Sequence, residues 1–427
     1  MREDLLHYVW KTQKFRKENL RTTSGELLEI LHTGHYNTSS GPDFFNARVR
    51  LSGQEWAGNL EIHVKSSDWY IHNHEKDPNY DNVILHVVWE DDTPVFRKDG
   101  TLIPVLELQD YLSEEFLLSY KNLVRNQRHE FINCEKEAAT VSDIIWEDWQ
   151  QRLYVERLEN KSKIIQQLLR ESKNDWEAVL FVMLAKNFGL NKNGPAFMSI
   201  AKHIDFNVVK KVSNDVLQLE SLLMGFSGFL TSDTIFDQYY LQLQKEFEFL
   251  RKKFQLNNYV GVKPVFFGLR PPNFPTIRLS QLAQLHSKST HLFSKLMETN
   301  SIEQFYDFLE VNASPYWNTH YTFGKSGKER IKSTSKDFLN LLLINTIVPL
   351  KFCYHQYLGE NKTEEILKLI SNLPAENNNL VNNFSAIGLE SKTAFQSQAK
   401  IQLHSNYCSK NKCLECHVGG TLLGRKT

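Results

Sequence analysis

Every strand-like stretch in this chain falls before residue 112, and nearly everything after residue 140 carries a helical period. Phe44–Leu51 (FFNARVRL) and Asn59–Lys65 (NLEIHVK) alternate apolar and polar residues, as strands covered on one face do. Residues 82–89 (NVILHVVW) are almost continuously apolar, the pattern of a strand buried on both faces. Residues 101–108 (TLIPVLEL) form a further strand candidate, entered through Asp99-Gly100, a hairpin-turn dipeptide. Residues 26–31 (ELLEIL) read as a short helix. Ser142 can cap a long helix, and Asp175 and Gly189 bracket another. Arg270–Asn273 (RPPN) interrupts the helical region because proline cannot sit in a helix interior. Strands first and helices afterwards predict an α+β chain: an N-terminal mixed α/β domain (1–135), a large α-helical domain (136–400) and a short cysteine-containing tail (401–427).

Composition removes several classes. Lys plus Arg is 50 and Asp plus Glu is 50, so the chain is not a globally basic nucleic-acid binder, although a local basic groove is compatible with that balance. With 41% hydrophobic and 12% aromatic residues it is too apolar to remain disordered. Five cysteines in 427 residues are too few for a disulfide scaffold. The N-terminus has charges throughout and no apolar core of a signal peptide. The most apolar run, Phe338 to Phe352, is broken by Asn340, Asn345, Thr346, Pro349 and Lys351. It reads as a buried core helix that stops near Pro349 rather than a membrane span. The expectation is a soluble, cytoplasmic protein without a membrane partner.

The densest chemistry lies between Gly41 and His86. Asp43 opens one strand, and on the next Glu61, His63 and Lys65 share a face while Leu60, Ile62 and Val64 take the other. Two carboxylates on adjacent strands can share a hard cation, Mg²⁺ or Mn²⁺, which lowers the pKa of a bound water. His63 or Lys65 can then position or deprotonate that water. Downstream stand Asp68, Trp69, His72, His74, Asp77, Tyr80 and His86. Imidazoles suit Zn, Mn or Fe, so His72 and His74 are candidate ligands beside Asp43 and Glu61. His86, inside an apolar strand, reads as a hydrogen-bonded core histidine.

The tail carries Cys408, Cys413 and Cys416 at C-x4-C-x2-C spacing. Thiols this dense in a reducing compartment usually bind metal, as Zn²⁺ or a [4Fe–4S] cluster. Cys134 is the best candidate for a fourth ligand, with His404 and His417 nearer in sequence, and Cys353 reads as a core residue. Gly324–Lys336 is basic and serine-rich without a phosphate-binding GxxxxGK[ST] pattern. Lys325, Lys328 and Arg330 there, and Arg270 at the proline bend, are candidate nucleic-acid contacts.

The pair Pro42-Asp43 and Glu61-Ile62-His63 resembles the PD-(D/E)xK nuclease motif, in which Asp opens one strand and E-x-K lies on the next. An acidic residue on a preceding helix belongs to that pattern, and Glu26 or Glu29 would supply it. His63 stands where that family usually carries lysine; Lys65 lies on the same face. The resemblance implies a restriction-endonuclease-like N-terminal domain and metal-dependent cleavage of DNA or RNA. The alternatives are a non-catalytic nucleic-acid- or protein-binding module with structural metal, and a His/Asp metal hydrolase of small molecules. The whole chain also resembles an uncharacterised bacterial family, a domain of unknown function abundant in Bacteroidota, through MREDLLHYVW, GPDFFNARV, NLEIHVKSSDWYIHNH, NVILHVVWE, RPPNFPTIRLSQLA and YCSKNKCLECHVGG. That resemblance implies no activity of its own.

Overall fold

A computed structural model describes residues 1–124, 131–259, 261–289 and 291–424. The chain is α+β and divides into two compact units. One comprises Met1–Trp149 with the C-terminal segment from Leu403; the other is Gln150–Gln402. The cysteine tail, expected as a separate region, is therefore part of the N-terminal unit.

The N-terminal unit opens with α1 (Glu3–Thr12), whose Leu5, Leu6, Val9 and Trp10 are buried at helical spacing. The sheet follows: β1 (Leu28–His32), β2 (His35–Tyr36), β3 (Phe44–Leu51), β4 (Gln54–Lys65), β5 (Val83–Glu90) and β6 (Val105–Glu107). Its order is β1-β3-β4-β5-β6, with β2 also on β3. β3 is antiparallel to β1 and β4, whereas β4, β5 and β6 run parallel. A bulge in the β3–β4 pairing lies just after Phe44. One face of the sheet packs Ala47, Val49, Leu60, Ile62 and Val87 against α1. The parallel crossover from β4 to β5 is short: α2 (Asp68–Ile71) and two 3-10 turns, whose Trp69 and Tyr80 join Val83, Val95 and Ile103 in a second small core.

The helix expected at 26–31 is strand β1 instead. Gly25, at φ +89°, turns the chain, Thr22 Oγ1 accepts from the Glu26 N–H, and Leu28 and Ile30 then pair with Leu51 and Val49 of β3. A six-residue apolar pattern is too short to choose helix over an available strand edge.

Among its described residues the second unit is mainly helical, with a hairpin, His320–Thr322 with Lys325–Ser326, and two isolated bridges. Asp143–Glu171 begins directly after Ser142, and Asp175 caps Trp176–Phe188 by accepting from the Ala178 N–H at 3.0 Å. The apolar run does not stop at Pro349. Lys336–Leu342 passes through a π-helical turn, Leu343–Ile347, into Val348–Tyr357. The turn places Pro349 near the start of the continued helix, where its missing N–H costs little. The run Lys336–Tyr357 is long and apolar enough to cross a membrane and is mostly buried inside this unit.

Candidate metal centre

The geometry begins at the head of β3. Asp43, just before the first residue of β3, meets β4: its Oδ2 accepts the Ile62 N–H at 3.0 Å while its own N–H donates to Glu61 Oε2 at 3.1 Å. The two carboxylates are thus held together by backbone bonds. From α1, His7 Nε2 lies 3.1 Å from Asp43 Oδ2 and 4.0 Å from Glu3 Oε1. Glu3 and His7 are one turn apart, on the edge of α1 beside its buried stripe. Glu3, His7 and Asp43 each offer a ligand atom within 4.8 Å of the others.

A second set adjoins it. His63, His72 and His74 also present ligand atoms within 4.8 Å of one another. His63 Nε2 lies 3.1 Å from His72 Nδ1, and His63 Nδ1 lies 2.8 Å from His86 Nε2. Glu61 Oε1 sits 3.3 Å from His74 Nε2 and 3.6 Å from His63 Nε2. Glu61 therefore touches both sets, one oxygen toward each. His74 is stacked on Tyr80 at 3.8 Å between ring centroids and meets the edge of Trp69.

The charges in this pocket are poorly compensated by the protein. Burial, then the charge of Asp43, pushes the Glu61 carboxyl up to about 9. Burial also raises Glu3. Burial lowers His63 to about 2, with the neighbouring imidazoles adding to the effect, and His86 to about 3. His74 is lowered by burial as well. Burial opposes protonation of His7, but its hydrogen bond to Asp43 and that carboxylate's charge outweigh it and raise the pKa. Crowded carboxylates beside neutral imidazoles form a donor set that a divalent cation would complete.

Asp43, Glu61, His63, His72 and His74 are all brought together as the strand pattern implied, and His86 is the hydrogen-bonded histidine expected. Lys65 joins neither set: it is exposed, 3.5 Å from Glu90 and 3.6 Å from Asp92. Glu26 lies in the turn before β1, and Glu29 pairs with Arg50 on an exposed face, so neither supplies the helix carboxylate. Glu3 and His7 of α1 instead lie beside Asp43, and sequence reasoning passed over them; their i, i+4 spacing beside the apolar stripe of MREDLLHYVW was the available signal. Along β4, Ala57, Asn59 and Glu61 share a face. Near Ala57, His32, His35, Asn46, Arg48 and Asn82 line an open groove of about 380 Å³.

The four cysteines also gather. Asn133 donates to Asn411 Oδ1 at 3.2 Å and to Cys413 Sγ at 3.4 Å, stitching the Cys134 segment to the tail. Each of Cys134, Cys408 and Cys416 feels the charge of other members of the set. Burial, then these neighbours, raises Cys134 to about 12 and pushes Cys408 up strongly. Burial takes Cys416 to about 11 against the pull of the Gly419 and Val418 N–H groups. Four thiols so placed cannot all ionise without a cation. Cys353 is a buried helix residue of the other unit, as expected.

In the second unit Arg270, Lys325, Lys328 and Arg330 are exposed. Lys332 is not: its ammonium is buried against the carbonyls of Trp317, Asn318 and Arg330.

Residues 3–379 match a family model described as "Protein of unknown function (DUF2851)". The match takes in both ligand sets and Cys134 and ends before Cys408. No curated protein and no solved structure matches the chain.

Proposed function

The chain belongs to the DUF2851 family, and from its site chemistry we propose that it is a metal-dependent nuclease, hydrolysing phosphodiester bonds in DNA or RNA. The observation that carries this reading is the locked pair Asp43 and Glu61 on adjacent strands, joined by a carboxylate from the preceding helix, Glu3. That resembles the acidic part of the PD-(D/E)xK pattern, without its lysine, in a similar order of helix, antiparallel strands, crossover and parallel strand.

Asp43, Glu61 and Glu3 would hold Mg²⁺ or Mn²⁺. The bound ion would supply a water of lowered pKa and offset charge on the phosphoryl oxygens. His7 orients Asp43 through Nε2, and its other ring nitrogen lies 3.4 Å from the Tyr36 hydroxyl, so it serves as a positioning residue. His63, buried and bonded at both nitrogens, is not placed as a free base. Arg48, His32 and His35 in the open groove supply positive and hydrogen-bonding contacts to a phosphate backbone. Arg270, Lys325, Lys328 and Arg330 are further candidate contacts. The four cysteines are assigned to a structural Zn²⁺ or [4Fe–4S] centre.

The test is cleavage of labelled single- and double-stranded DNA and RNA by the full chain with Mg²⁺ and with Mn²⁺. Asp43→Ala and Glu61→Gln should each lower the rate at least about 100-fold. A metal-loaded wild type that cuts none of these substrates overturns the reading.

A further inference from the structure

We propose that His63, His72 and His74 form a second metal site, selective for a first-row transition ion such as Zn²⁺ or Mn²⁺, and that Glu61 bridges it to the carboxylate site. The role of the pair rests on the nuclease reading; the existence of the second site does not.

The site is built by the short crossover between β4 and β5. α2 and the turn after it fold back over β4 and deliver His72 and His74 onto His63. The separation of 3.1 Å between His63 Nε2 and His72 Nδ1 is one at which two ring nitrogens share a proton or face a common ion. His63 has its far nitrogen occupied by His86 at 2.8 Å, the way a ligating imidazole is oriented from behind. His74 Nε2 is buried, has no hydrogen-bond partner and points at Glu61 Oε1. An orphaned buried nitrogen is costly, and Tyr80 and Trp69 fix the ring that carries it rather than letting it turn away. Packing alone gives no reason to converge four imidazoles.

The donor chemistry sets the class of ion. Three imidazoles with a carboxylate oxygen favour Zn, Mn or Fe over Mg²⁺ and Ca²⁺, which prefer all-oxygen shells. Glu61 supplies that oxygen through Oε1, while Oε2 faces Asp43. One carboxylate between two ligand sets is the connection on which two-ion phosphoryl chemistry depends. His72 is exposed, so the site has an open side for ion exchange.

The experiment uses the full chain, stripped with a chelator and reloaded with Mn²⁺ or Zn²⁺ alone, with bound metal counted by mass spectrometry. About two ions at this pair are expected in wild type, and one fewer in His72→Ala and in His74→Ala. Because His72 is exposed, His72→Ala should keep the wild-type circular dichroism, and His72→Gln is the matched second variant. In Mn²⁺-loaded wild type, electron paramagnetic resonance should show an exchange-coupled pair, replaced in His72→Ala by an isolated ion. An ion count and spectrum that His72→Ala and His72→Gln leave unchanged overturn the second site. A coupled pair in a protein that cleaves no nucleic acid leaves the second site standing and removes the nuclease reading instead.

Discussion

His286 is a neutral base held where charge is costly. Its Nε2 is buried without a partner, and its ring meets Phe181 edge-on at 4.9 Å. Burial lowers it to about 4 from an ordinary value of 6.5. Below pH 6.5 the unfolded chain therefore takes up a proton that the folded chain refuses, so stability falls as pH falls from 6.5 to about 4. The shift is worth about 3 kcal/mol at most. His286→Leu should flatten this part of the profile. Urea unfolding of wild type and variant at pH 7, 5.5 and 4 checks it, and parallel losses in the two proteins would count against the assignment. The same scale shows what could be read in the ligand sets. Asp43 and Glu61 were legible because strand alternation separates Glu61 and His63 from Leu60 and Ile62. Glu3 and His7 were not, because an i, i+4 polar pair at the start of an amphipathic helix looks like any solvated edge until the strand end it reaches is known.

At the scale of elements, closeness of approach decides the cysteine segment. A Cβ at Gly419 would lie 2.1 Å from the Cys413 carbonyl oxygen, so the turn through Cys416 closes onto the helix His417–Gly424 only with glycine there. The same closure lets the Gly419 and Val418 N–H groups reach the Cys416 sulfur. Gly419→Ala should cost about 1–3 kcal/mol and lower the metal content of the purified protein. Denaturant unfolding with metal analysis measures both, and a variant with wild-type stability and full metal would refute the argument. Sequence patterns handled the long elements well: the alternating strands and the capped helices lie where their periods and capping residues put them. They failed at β1 and at Pro349. In both places the outcome depends on what the segment packs against, a free edge of β3 in one case and a π-helical turn in the other.

For the whole molecule, the chain leaves the N-terminal unit at Trp149 and returns at Leu403, with the helical unit inserted between. Cys134 precedes the departure; Cys408, Cys413 and Cys416 follow the return. The returning segment is more than a tail. Leu423 joins the core cluster that includes Leu5, Leu6 and Val9 of α1, and Lys14 bonds both Tyr8 and the Gly420 carbonyl. Composition alone could not assign it there, since nothing in a short cysteine-rich run says where it docks. A metal held by the four thiols would fasten this segment to the helix that carries Glu3 and His7, and would favour the folded unit by closing a long loop. Cys134→Ser should then loosen the N-terminal unit and spare Gln150–Gln402. Loss of such a centre would cost several kcal/mol, at about 2–4 °C per kcal/mol for a unit of this size. In hydrogen-exchange mass spectrometry of the full chain, the variant should exchange faster in α1 and in His417–Gly424, with the helices of the inserted unit unchanged. On the nuclease reading, its cleavage rate should drop less than that of Asp43→Ala, because the cysteine segment reaches Glu3 and His7 by way of Lys14 and, in α1, Tyr8. Faster exchange spread evenly over both units would show that the cysteines stabilise the chain by some route other than this closure.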